Sequence, residues 1–129
     1  MPMILTLLAA AAISVGSQTA QPPATIVFFR PKSIMGAAVA CPIRLNGRQV
    51  VELGRGKYAR FSAKPGRYVF NNNTAGVEVN AQSGQSYFIR CSVKPGFASG
   101  RSDLQFSDET AFVKVNAKEA VPDVPAINP

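Results

Sequence analysis

Two cysteines, fourteen cations and no histidine set what chemistry this chain can do. Without histidine there is no Ser-His-Asp or Cys-His nucleophile, no histidine metal site and no ordinary general base near neutral pH. Cys41 and Cys91 lie fifty positions apart, with neither a Cys-x-x-Cys spacing nor a base at hand. Both fall on the inward side of an alternating segment, so in an oxidising compartment they are expected to pair. Two buried thiols are the alternative.

The densest cluster of charge is Arg44, Arg48, Arg55, Lys57, Arg60, Lys64 and Arg67, seven of the fourteen cations within 24 residues, with Glu52 the only acid among them. Tyr58, Phe61 and Tyr68 are interleaved and could stack on rings or sugars. Such a stretch is a candidate binder of an anionic group. The same residues also suit solvated turns and edge strands protected by charge. Cations gathered on one side favour the first reading; cations spread round all sides of the fold would sink it. Asp103, Asp108 and Glu109 are the only clustered acids. They could serve as an acid/base pair or hold calcium, but they lack the spacing of a calcium loop. A cleft joining them to a cation would favour an enzyme. Gly54-Arg55-Gly56-Lys57-Tyr58-Ala59 matches the G-x-G-x-x-A string of dinucleotide folds. That string needs a helix after it, and Pro65-Gly66 arrives too soon, so it reads as a glycine turn. No cofactor or metal is expected.

The elements that carry these residues are short strands. Gly84–Val93 alternates, with Tyr87, Ile89, Cys91 and Val93 on one side, and is expected to be a central strand. Thr25–Phe29 is apolar on both faces, which suits a strand covered on two sides. Val39–Leu45 alternates but contains Pro42, which forces an edge or a bulge. Asn46-Gly47 then predicts a tight hairpin into Gln49–Leu53, because both central positions of a type I′ turn need positive φ. Further strands are expected at Tyr58–Phe61, Tyr68–Asn71 and Val77–Ala81, the last forming a hairpin with the Gly84–Val93 segment. Asp103–Phe106 and Thr110–Val115 close the series. Ser33–Ala37 and Pro95-Gly96 read as loop and turn, and Asn72-Asn73-Thr74 matches a glycosylation sequon. Strands this short, with turn signals every 8–12 residues, predict an all-β sandwich or small barrel.

Residues 1–20 read as an export signal, with cleavage after Ser17 or Ala20. The apolar run Ile4–Val15 is 12 residues, too short for a helix crossing a bilayer, which needs about 20. Residues 21–117 are expected to form the domain and 118–129, rich in proline, a disordered tail. The net charge of +7 biases the protein towards anionic partners. With export, nucleic acid is not among them.

The text Ile26–Pro31, then Ile43-Arg44-Leu45-Asn46-Gly47, Leu53-Gly54…Lys57-Tyr58, Lys64-Pro65-Gly66-Arg67-Tyr68 and Ser83-Gly84-Gln85-Ser86-Tyr87-Phe88 resembles the bacterial domain of unknown function 2846. The resemblance covers about residues 24–117. It implies a small exported protein with a transthyretin-like (immunoglobulin-like) antiparallel β-sandwich of about 7–9 short strands. Many relatives are lipoproteins, whereas no cysteine lies just after the apolar run here, the first being Cys41, so a periplasmic or secreted protein without a lipid anchor is expected. The family implies no activity. The histidine-dependent hydrolases that share the sandwich do not transfer to a chain without histidine. The expectation is a non-enzymatic binding or structural role in the cell envelope. Its sharper form is a binder of lipopolysaccharide, acidic lipid or peptidoglycan through the 44–67 region.

Overall fold

The computed structural model describes residues 21–32, 39–72, 76–94 and 101–129. The leader, the Ser33–Ala37 loop, Asn73 and Thr74 of the sequon and the Pro95-Gly96 turn lie outside them.

Nine strands and one helix follow in order: β1 (Ala24–Phe29), β2 (Pro42–Leu45), β3 (Arg48–Glu52), β4 (Lys57–Ala63), β5 (Gly66–Asn71), β6 (Gly76–Ala81), β7 (Ser86–Lys94), β8 (Arg101–Ser107), α1 (Glu109–Val115) and β9 (Glu119–Ala120). They form a five-stranded sheet ordered β8-β7-β1-β4-β9 and a four-stranded sheet ordered β3-β2-β5-β6. This is an all-β sandwich. Pairing is mostly antiparallel, but β1 runs parallel to β7 and β4 parallel to β9.

Period-two alternation fills the space between the sheets. Ile26 and Phe28 of β1, Phe61 of β4 and Ile89 of β7 face Ile43, Tyr68, Phe70 and Val79 of the other sheet, all buried. Phe28 bridges the layers, with its ring edge-on to Phe61 at 5.7 Å and to Phe70 at 4.9 Å. Such aromatic pairs add roughly 0.5–1.5 kcal/mol beyond the area they bury. A disulfide joins Cys41, just before β2, to Cys91 of β7, so it ties one sheet to the other.

The Asn46-Gly47 hairpin forms as expected, with φ of 53° and 81° and Leu45 opposite Arg48. Pro42 takes the bulge rather than the edge: β2 is an interior strand, and its register with β3 shifts between Ile43 and Arg44. β2 meets β5 only through Arg44 and Leu45, so the missing N–H of Pro42 costs that ladder nothing.

Three expectations are corrected. Thr110–Val115 lies within a helix, not a strand. Asp108 caps its start, with Oδ1 accepting from the Ala111 N–H at 2.8 Å, and Asn116 ends it in the left-handed conformation. The helix exists to place Phe112, whose ring meets Phe29 and Tyr58 at 5.3 Å and Phe88 at 5.6 Å on the outer face of the five-stranded sheet. This is the second cover that the doubly apolar β1 required.

The second correction concerns β6 and β7, which belong to different sheets and form no hairpin. The free edge of β1 captures β7, with the Thr25 N–H donating to the Gln85 carbonyl at 2.9 Å.

The third concerns residues 118–129, which are ordered along the outer edge of β4. Val121 N–H donates to the Tyr58 carbonyl and Ile127 N–H to the Ser62 carbonyl, each at 2.9 Å. Prolines removed only their own donors. The residues between them still pair, and Ile127 is buried while Val121 and Val124 pack on the core. An otherwise open edge of β4 is thereby covered.

Candidate functional site

The fold divides the seven cations of the 44–67 region. Arg44 on β2 and Arg67 on β5 alternate with inward residues and lie on the outer side of the four-stranded sheet. Arg67 there forms an exposed ion pair with Glu78. Arg48 opens β3 at the hairpin. Arg60 lies on the outer side of the other sheet, its guanidinium 6.0 Å from the centre of the Tyr58 ring. Lys64 sits in the β4–β5 turn. Arg55 and Lys57 come together at the β3–β4 turn, and Lys57 approaches Glu119 at 3.8 Å across an exposed ion pair. The seven therefore do not share one face.

The acids are also separated by role. Asp103 stands on β8 opposite Ser92, Asp108 caps α1, and Glu109 lies in its first turn. Asp108 and Glu109 line a shallow cleft with Phe88 and Phe106, and no described lining residue is a lysine or arginine. Among the described residues no three potential metal ligands converge.

A different grouping of cations emerges where β1 stops. Pro31 cannot donate to a ladder, so β1 ends, and its last partner on β7 is Arg90, opposite Phe29. β7 runs on to Lys94, and this overhang leaves a notch at the end of β1. The notch is a pocket of about 120 Å³ walled by Arg30, Arg55, Arg90, Cys91 and Ser92. The disulfide fixes its floor through Cys91. The β3–β4 turn brings in Arg55, closed by the Lys57 N–H on the Gly54 carbonyl and by Gly56 at φ 72°, the conformation that favours glycine. Arg30 N–H donates to the Lys57 carbonyl at 3.0 Å, which locks this turn to the end of β1.

Arg30 is only 4% exposed. Its Nη1 donates to the Leu53 carbonyl at 2.9 Å. Burial lowers its pKa, and the neighbouring Arg55 cation lowers it further. A guanidinium starts so high that Arg30 still carries its charge. The Nε of Arg90 is buried and finds no hydrogen-bond partner among the described residues. Arg30, Arg55 and Lys57 also line the adjoining open cleft, where Glu52 is the one acid among the described lining residues.

Arg55 and Lys57 were candidates in the sequence; Arg30 and Arg90 were not. In the sequence Arg30 stands just before Pro31, and Arg90 alternates with the inward Ile89 and Cys91. Their positions in sequence hold no signal, because the parallel register of β1 and β7 brings them together.

A two-sheet β-sandwich stapled between its layers, with a cationic notch at one end, is the class of protein that these features define. The family described as "Protein of unknown function (DUF2846)" matches residues 20–103, and the chain belongs to it. The match includes all three notch arginines and ends within β8, before α1 and β9. No curated protein and no solved structure matches the chain.

Proposed function

We propose that this is an exported, non-enzymatic module of the bacterial cell envelope that binds an anionic component there. The observation that carries the reading is the grouping of Arg30, Arg55, Lys57 and Arg90 at one end of the sandwich, with Glu52 the one acid among the described residues that line either cavity. Export is supported by the apolar run Ile4–Val15 and by a disulfide, which persists in oxidising compartments. A binding rather than catalytic role is supported by the lack of histidine and by the cleft that Asp108 and Glu109 line, where no described lining residue is a lysine or arginine. Of the seven cations in the 44–67 region, Arg55 and Lys57 carry the function.

The test is co-sedimentation of the protein with anionic vesicles and with lipopolysaccharide at low and at moderate salt. The Debye length falls from ~30 Å at about 0.01 M to ~8 Å at about 0.15 M, so diffuse attraction fades and a built site persists. Binding is expected to survive the higher salt and to disappear when Arg55 and Lys57 become Ser. No binding even at low salt would end the envelope reading.

A further inference from the structure

The notch joins three observations. Three arginines are among the residues that wall a cavity of about 120 Å³, with no carboxylate among its described lining residues. One of the three, Arg30, is almost wholly buried. Another, Arg90, holds a buried Nε–H with no acceptor among the described residues. A buried donor left unsatisfied is rare and costly, and it calls for a missing acceptor. We infer that Arg30, Arg55 and Arg90 form a receptor for a single phosphomonoester group.

Size and charge select that group. Ligand pockets for whole cofactors run to roughly 300–1,000 Å³, so this one takes a single anionic group and leaves the rest of its carrier outside. A carboxylate brings one negative charge and two oxygens, which one arginine fork satisfies. A phosphomonoester brings about −1.5 to −2 charges and three terminal oxygens, which suits three guanidinium groups better. Arginine is the side chain whose planar fork fits such oxygens two at a time. The pocket opens beside the cleft lined by Arg30, Arg55 and Lys57, where the remainder of an anionic carrier would lie. The inference rests on the anion-binding reading above and narrows it to a group and a place. Free phosphate and a phosphorylated lipid headgroup share this chemistry.

The test is a titration of the disulfide-bonded protein with inorganic phosphate, followed by NMR at the arginine Nε–H groups. A saturable shift of the Arg90 Nε–H at one phosphate per chain is expected, with acetate far weaker. The affinity should fall by about tenfold or more in Arg55→Gln, the loss of one charge-assisted hydrogen bond. Arg55 lies in an exposed turn, so this variant keeps the fold, and Arg48→Gln at the far end of β3 should bind as the parent does. An Arg90 Nε–H that does not move well above millimolar phosphate, or that responds equally to acetate, overturns the inference. Vesicles of phosphatidic acid, a monoester, are then compared with phosphatidylglycerol, a diester. A preference for phosphatidic acid that phosphate competes away supports the site with a lipid source. Phosphate binding without vesicle binding supports it with a soluble source, and ends the envelope reading alone. Vesicle binding that neither phosphate nor Arg55→Gln weakens overturns the receptor while leaving the envelope reading intact.

Discussion

The Tyr68 hydroxyl lies 3.2 Å from the carbonyl oxygen of Ile127, 59 residues further along the chain, and 2.5 Å from that of Lys64. One buried side chain thus holds both the β4–β5 turn and the end of the polypeptide. Tyr68→Phe removes this shared donor and is expected to cost about 1 kcal/mol. Hydrogen exchange should quicken at Val121 and Ile127 more than in β1. Burial also pushes the Tyr68 hydroxyl above its ordinary value of about 10. The unfolded chain then gives up this proton before the folded one does. Stability from this group is whole below pH ~10 and falls as pH rises towards the folded value. Denaturant midpoints across that range should show the slope in the parent and not in Tyr68→Phe.

Gly66 makes a second contact with the same end. Its φ is 151°, and a Cβ there would collide with the Pro129 ring. Gly66→Ala is expected to dislodge the last residues and to destabilise by about 1 kcal/mol or more through backbone strain. Limited proteolysis should trim the C-terminus of this variant first. Equal trimming of parent and variant would refute the contact.

The Cys41–Cys91 bridge closes a loop of about 50 residues, worth ~4 kcal/mol in the chain-entropy account. Reduction should lower the guanidinium midpoint by a corresponding amount. Denatured, unreduced protein should show no reactive thiol. Two titratable thiols in the exported form would contradict the bridge.

Helix α1 should come apart in two graded ways. Asp108→Ala removes the cap and is expected to cost about 1 kcal/mol locally, read as faster exchange in Glu109–Val115 with little change in the global midpoint. Phe112→Ala uncovers Phe29, Tyr58 and Phe88 and should cost about 2 kcal/mol globally, below the figure for a fully buried ring because Phe112 is half-buried. An unchanged midpoint in Phe112→Ala would mean that the helix does not cover the sheet.

The exported form should begin at Gln18 or at Gln21, the residues that follow Ser17 and Ala20. Intact mass decides this, and a full-length mass in the exported fraction would exclude cleavage.

Where local chemistry dictates structure, the sequence was readable. Asn46-Gly47 is one of the few pairs that accept two positive φ values in succession, and the hairpin is where that pair stands. The alternation of Tyr87, Ile89 and Cys91, and that of Cys41, Ile43 and Leu45, put both cysteines between the layers, which is why their pairing could be expected. Residues 110–115 misled because their apolar positions also suit a strand. The caps at Asp108 and Asn116 were the better signal. The C-terminal prolines hid the recurrence of Val121, Val124 and Ile127 at every third position, the three apolar residues that dock. The arginine notch was the least legible, since it depends on which strand settles beside β1, and no local rule decides that.

That choice of neighbour has a consequence for how the chain acquires its structure. Thr25 pairs with Ser62 on one side and with Ser86 on the other. Until β7 has been delivered, β1 is therefore the border of an incomplete layer, showing an unsatisfied row of backbone groups. Contacts so distant along the chain form slowly. The vulnerable period for misassembly is the interval between the arrival of β4 and that of β7. Cys91 lies on β7, so once closed the bridge to Cys41 holds that strand to the opposite layer.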